Sequence, residues 1–107
     1  MDDVQKKIAD DVTKNPIVIY AKGIKGQPQC GFSAAVMEIF DNLGAKYEVR
    51  NVLADPAIRD GIKQFTNWPT IPQIFISGQF VGGCDIVREL YQNGELATMV
   101  KTAAQGK

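Results

Sequence analysis

Along the 107-residue chain the apolar positions change period several times, and each change marks an element. Val4, Ile8 and Val12 recur every four residues and predict an amphipathic first helix. Asn15–Pro16 ends it, because the residue before proline avoids helical backbone. IVIYA, residues 17–21, is a β-branched apolar run without polar spacing and predicts a buried central strand. From Phe32 the period lengthens again: Val36, Ile39, Phe40 and Leu43 share one helix face, and Gly44 supplies the stop. KYEVRNV, residues 46–52, alternates as a strand does. Asp55–Pro56 then forms a helix cap with proline in the first turn, ahead of Ile58, Ile62 and Phe65.

QIFI, residues 73–76, and QFV, residues 79–81, flank Ser77 and Gly78 and predict a tight hairpin. After Gly82 and Gly83, Asp85 is expected to N-cap a helix burying Ile86, Val87, Leu90 and Tyr91. Leu96, Met99 and Val100 add a last helical turn or two, and the small, polar tail from Thr102 is expected to fray. A strand–helix–strand unit crosses over right-handedly into a parallel pair, and the hairpin adds antiparallel strands. The expected fold is therefore α/β: a four-stranded mixed sheet flanked by helices on both faces, a thioredoxin-like architecture in a single domain over residues 1–107.

Composition narrows the chemistry. Lysine plus arginine equals aspartate plus glutamate at 12 each, so no bulk charge points to nucleic acid or to a membrane surface. No apolar run approaches the length of a membrane span. The start, MDDVQKKIADDV, has neither an apolar signal core nor the acid-poor character of a transit peptide, which sets a soluble, reducing cytoplasmic location as the expectation. There is no histidine, which removes Cys–His and Ser–His–Asp nucleophile systems and imidazole metal ligation together. Two cysteines, Cys30 and Cys84, are too few for a disulfide scaffold or a cysteine-only zinc site.

Cys30 is the reactive candidate. It sits at or just before a helix N-terminus, with unpaired backbone N–H groups and Lys22 across the loop, three features that favour a thiolate. A buried structural thiol is the alternative, but Gly26, Gln27, Pro28, Gln29 and Gly31 describe an exposed loop. Ser33 stands where a dithiol redox motif would place its resolving cysteine, and a hydroxyl cannot resolve a mixed disulfide. Cys84 is either a long-range substitute for that thiol or simply a small residue in a tight turn. Pro72, in WPTIPQ, sits directly before a strand, either as an ordinary strand-entry proline or behind a cis bond. Lys22 and Arg59, each alone, read as solvated surface charges.

Taken together, CGFS at 30–33, Lys22 one residue past the first strand, WPTIPQ at 68–73 and GGCD at 82–85 resemble the monothiol, CGFS-type glutaredoxins over about residues 4–101. The resemblance implies a glutathione site: cations at Lys22 and Arg59 for the glycine-end carboxylate, and the backbone of Ile71 beside a cis Pro72 pairing with the cysteinyl part. Gly83, Cys84 and Asp85 would receive the γ-glutamyl end. It also implies that Cys30 is the catalytic or cluster-ligating thiol of a protein that assembles and transfers [2Fe–2S] clusters.

Ligand arithmetic agrees with that implication. A [2Fe–2S] cluster takes four thiolates, whereas one protomer offers Cys30 and one bound glutathione, so the expected holo-form is a homodimer bridged by the cluster. The resemblance further implies a BolA-like protein and apo iron–sulfur acceptor proteins as partners. The competing expectation is a glutathione-dependent oxidoreductase in which Cys30 alone attacks glutathionylated proteins.

Overall fold

The computed structural model describes residues 2–105. Helix α1, Asp3–Lys14, opens with Asp2 as N-cap, its carboxylate accepting from the Gln5 N–H at 2.8 Å. Strand β1, Ile17–Ala21, is buried along its whole length. A two-stranded ribbon follows, β2 (Gly23–Ile24) against β3 (Gln27–Pro28), and then α2, Gly31–Asn42. Strand β4, Glu48–Asn51, α3, Pro56–Thr66, the hairpin of β5, Gln73–Ile76, and β6, Gln79–Gly82, and the helices α4, Cys84–Gln92, and α5, Glu95–Gln105, complete the order.

The main sheet runs β4-β1-β5-β6, with β1 parallel to β4 and antiparallel to β5, so it is mixed and four-stranded as expected. Ile19 in β1 stands opposite Val49 on one side and Ile74 on the other. Alternation along β1 divides the core. Ile17, Ile19 and Ala21 pack with Val36 and Phe40 of α2, Val87 of α4 and Leu96 of α5, while Val18 and Tyr20 face Ile8 and Val12 of α1 and Ile62 of α3. Helices thus cover both faces, and this is why the strand reads as continuous apolar sequence. Ser77 and Gly78 both take positive φ, 54° and 78°, the backbone that a two-residue hairpin turn demands.

Four expectations are corrected and one feature is added. Ile86, expected to be buried, is 37% exposed. The ribbon is absent from the sequence reading because two-residue strands carry no alternation. The strand expected over residues 46–52 is shorter, since only Glu48–Asn51 pair with β1. Helix α4 starts earlier than supposed: Gly83 is its N-cap, Cys84 its first residue, and Asp85 lies inside the first turn. The tail from Thr102 continues α5 to Gln105, with Ala103 buried, rather than fraying; residues 106–107 lie outside the described residues.

Candidate functional site

The end of β1 and the start of α2 build the reactive corner. Cys30 is the N-cap of α2, in extended backbone, half-buried rather than fully exposed. Its thiol is held below its ordinary value chiefly by the backbone N–H of Ser33, against a smaller upward push from burial; the Phe32 N–H, the Lys22 charge and the Ser33 hydroxyl add to the lowering. The thiolate is therefore favoured at the helix's positive end, as the chain order suggested.

The loop before Cys30 is fastened at several points. The Lys22 N–H donates to Ser33 Oγ at 3.1 Å, and Ser33 is fully buried. The Gln29 N–H donates to Lys22 O at 2.8 Å, closing the ribbon's base. Asn51 Oδ1 accepts from the Gly23 and Leu53 N–H groups, both at 3.0 Å, and so ties the ribbon to the end of β4. Further out, Lys25 Nζ donates to Tyr47 O at 3.2 Å and lies 4.2 Å from the Tyr47 ring centre. Lys22 is consequently carried on anchored backbone beside the thiol.

A cavity of about 450 Å³ opens next to this corner. Ile71, Pro72, Gly83, Cys84 and Asp85 line it with Phe32, Trp68, Thr70 and Ile86, so five of the expected site residues converge on one space. The Ile71–Pro72 bond is cis. Phe32 is 59% exposed, an apolar side chain offered to solvent two residues from Cys30. Lys22, Cys30 and Arg59 are not among the lining residues. Cys30 caps the helix whose Phe32 lines the cavity and Lys22 is bonded to Ser33 of that helix, whereas Arg59 projects from α3 as an exposed side chain paired with Asp60 at 3.3 Å.

Cys84 is buried and its thiol is pushed up, first by burial, then by Asp85 and by the nearby Cys30 sulfur, with Arg88 opposing. Arg88 Nη2 lies 3.7 Å from its sulfur. The two cysteines are free thiols of opposite character: Cys30 drawn toward thiolate, Cys84 held as thiol.

Sequence reasoning missed the residues that hold the WPTIPQ loop. Gln73, fully buried at the start of β5, donates from Nε2 to Trp68 O at 2.9 Å and to Thr70 O at 3.1 Å. Thr66 Oγ1 donates to Gln73 Oε1 at 2.8 Å and accepts from the Trp68 N–H at 3.2 Å. A polar residue opening an otherwise apolar strand was the available signal.

Among the described residues no group of three or more carboxylate or thiol side chains gathers into a metal site, and no helix is long and apolar enough to cross a membrane. Backbone at Ile71, unpaired N–H groups at the start of α4 and the Asp85 carboxylate offer an extended ligand both hydrogen-bonding signs.

Comparison with known proteins places the chain. The glutaredoxin family model matches residues 17–81. A monothiol glutaredoxin of Synechocystis is 50% identical over 101 residues, covering 94% of each chain. The mitochondrial monothiol glutaredoxin-5 of Saccharomyces cerevisiae is 41% identical over 104 residues, covering 94% of this chain and 69% of its own. Among solved structures, a buckwheat glutaredoxin in complex with glutathione superposes with a TM-score of 0.85 at 32% identity, covering 94% of this chain and 90% of the other. With a thioredoxin-like sheet, a single activated thiol and serine in place of its partner, this chain belongs to the glutaredoxin family, on its monothiol branch.

Proposed function

We propose that the protein binds glutathione in the cavity beside Cys30 and carries a [2Fe–2S] cluster as cargo between two protomers, delivering it to apo iron–sulfur proteins. The observation that carries this reading is the pairing of an activated Cys30 with a buried, hydrogen-bonded Ser33. One sulfur is insufficient for a cluster, and Ser33 is committed to holding Lys22 rather than to redox chemistry. The cavity supplies the place for a second, noncovalent sulfur ligand, and the glutathione complex of a related fold supports glutathione as its source.

In this reading Lys22 and Arg59 hold the glycine-end carboxylate, Ile71 pairs with the cysteinyl backbone, and Gly83, Cys84 and Asp85 receive the γ-glutamyl end. Half the cluster's ligands are then exchangeable small molecules, which suits transfer rather than storage. A BolA-like protein replacing one protomer, and a cytoplasmic site of action, belong to the same proposal.

Anaerobic reconstitution with iron, sulfide and glutathione tests it. A coloured dimer holding two glutathiones is expected from the native chain, and a colourless product from Cys30→Ser. A colourless native monomer that turns over glutathionylated substrates would instead establish the monothiol oxidoreductase.

A further inference from the structure

Large apolar side chains left in solvent gather at one end of this molecule. Among the described residues four are exposed: Ile24, Phe32, Leu53 and Ile86. Strands β1 and β4 end side by side at Ala21 and Asn51, while β5 begins opposite Tyr20 and β6 closes at Gly82 opposite Ile74. All four side chains therefore stand at the sheet end that carries Cys30: Ile24 on the ribbon, Leu53 just past β4, Phe32 and Ile86 in the first turns of α2 and α4. Apolar residues scattered singly over a surface are ordinary, but their concentration around a reactive thiol marks an interaction surface.

The cavity divides them. Phe32 and Ile86 line it, so a second protomer sharing a cluster there would cover them. Ile24 and Leu53, each 51% exposed, lie outside it. One side chain ties their backbones together: Asn51 Oδ1 accepts from the N–H of Gly23, next to Ile24, and from the N–H of Leu53, both at 3.0 Å. Alternation in β2 sets which way the ribbon faces. Gly23 is buried, and a Cβ there would run into Gln27 O, the Gln29 nitrogen and Pro28 Cα, so the inner side admits only glycine and Ile24 is turned outward. The ribbon is also held still, by the Gln29 N–H on Lys22 O at its base and by Lys25 Nζ on Tyr47 O at its tip. An apolar pair on anchored backbone loses little freedom when a partner covers it, as an interface anchor requires.

Charge gives the rest of the partner's character. Residues 22–37 hold Lys22 and Lys25 and no carboxylate, and Lys25 is exposed next to Ile24. The first carboxylate after Leu53, Asp55, is committed to the α3 cap, accepting from the Ile58 N–H at 3.3 Å. The complementary surface is apolar with carboxylates at its edge. We propose that Ile24 and Leu53 form the docking surface for the acidic protein that accepts the cluster, apart from the cavity face that meets the second protomer. The proposal rests on the carrier reading above and adds the place where the acceptor engages.

The test compares holo-protein reconstituted from the native chain and from the double variant Ile24→Ser, Leu53→Ser. The probe is an acidic plant-type [2Fe–2S] ferredoxin stripped of its own cluster, with transfer followed by circular dichroism. Both proteins should show the same visible spectrum and dimer mass, and should lose cluster to a small chelator at equal rates. Transfer to the ferredoxin should be slower about tenfold in the variant, the scale on which apolar interface anchors count. Raised salt should slow the native transfer. Equal transfer rates overturn the patch, and native transfer indifferent to salt overturns the acidic partner; both leave the carrier reading intact. A variant that no longer dimerises assigns the patch to the protomer contact and overturns the proposal, as does a native holo-dimer that feeds the chelator but not the ferredoxin. A native chain that takes up no cluster brings down the carrier reading and the proposal with it.

Discussion

Ser33 Oγ accepts the Lys22 backbone N–H at 3.1 Å, so the serine of the CGFS run is the fastening between the first strand's exit and the helix that carries the thiol. The same hydroxyl also lowers the Cys30 thiol. Ser33→Ala should leave the half-buried Lys22 N–H unpaired and cost about 1–2 kcal/mol, measured by urea unfolding. It should also move the pH midpoint of Cys30 alkylation, expected below the ordinary thiol value, upward toward it. Ser33→Thr, keeping the oxygen, should restore the midpoint. An unchanged midpoint in the alanine variant would show that the backbone N–H groups and the Lys22 charge act without the hydroxyl.

Much of this corner was legible in the chain itself. The switch from a β-branched run to helical spacing at Phe32 fixed Cys30 at a helix start, and glycine-rich sequence around Cys84 marked the start of α4, although two residues too late. The clamps were not legible. Asn51 and Gln73 are ordinary polar residues at strand ends, and nothing in sequence spacing reveals that one bridges to Gly23 and the other to Trp68 and Thr70. Such contacts depend on tertiary approach, which no local period encodes. Lys22 and Arg59 show the same limit from the other side: resemblance grouped them, whereas the fold sets Lys22 beside the thiol and Arg59 on the solvent side of α3 beside Asp60.

Lys22 and Arg59 should therefore contribute unequally. Lys22 sits on anchored backbone and pays little to be positioned, while Arg59 is exposed and already shares its charge with Asp60 at 3.3 Å. Calorimetric titration with glutathione should show Lys22→Ala weakening binding by ~1 kcal/mol and Arg59→Ala by less, both effects shrinking as salt rises. The reverse ranking would mean that Arg59 leaves Asp60 when ligand arrives.

Away from the site, Asp11 joins α1 to the sheet. Arg50 grips its two oxygens at 2.7 Å each, and Tyr20 and Asn15 donate to it at 3.1 and 3.0 Å. Burial pushes the Asp11 carboxyl up, but the Arg50 hydrogen bond and charge, with Tyr20 and Asn15, outweigh it and leave the group below its ordinary 3.8. A depressed carboxylate stabilises the fold fully above its unfolded value and loses that contribution as pH falls through the folded one. Thermal unfolding should thus show an acid loss below about pH 4 that Asp11→Asn lacks, the variant being less stable at neutral pH by about 1–2 kcal/mol. Parallel acid profiles for the two proteins would assign the loss to other carboxylates.

Gly23 offers the sharpest test of whether the ribbon positions Lys22. Its φ is +110°, a conformation that side chains disfavour, and an added Cβ would come within 2.5 Å of Gln27 O, 2.7 Å of the Gln29 nitrogen and 2.8 Å of Pro28 Cα. All three are backbone atoms, so no side-chain rotation relieves them. Gly23→Ala must open the β2–β3 ribbon, and the Gln29-to-Lys22 and Gly23-to-Asn51 hydrogen bonds open with it. Because the main sheet does not include the ribbon, global stability should fall by only about 1–3 kcal/mol, the usual scale of local backbone strain. Amide exchange should speed up at positions 23 and 29 while β1 and β5 stay protected. Glutathione affinity should drop, by up to as much as in Lys22→Ala, since the lysine remains but its backbone is no longer held. An affinity equal to that of the native chain, with the ribbon amides exchanging freely, would show that Lys22 acts as a tethered charge whose placement the ribbon does not control.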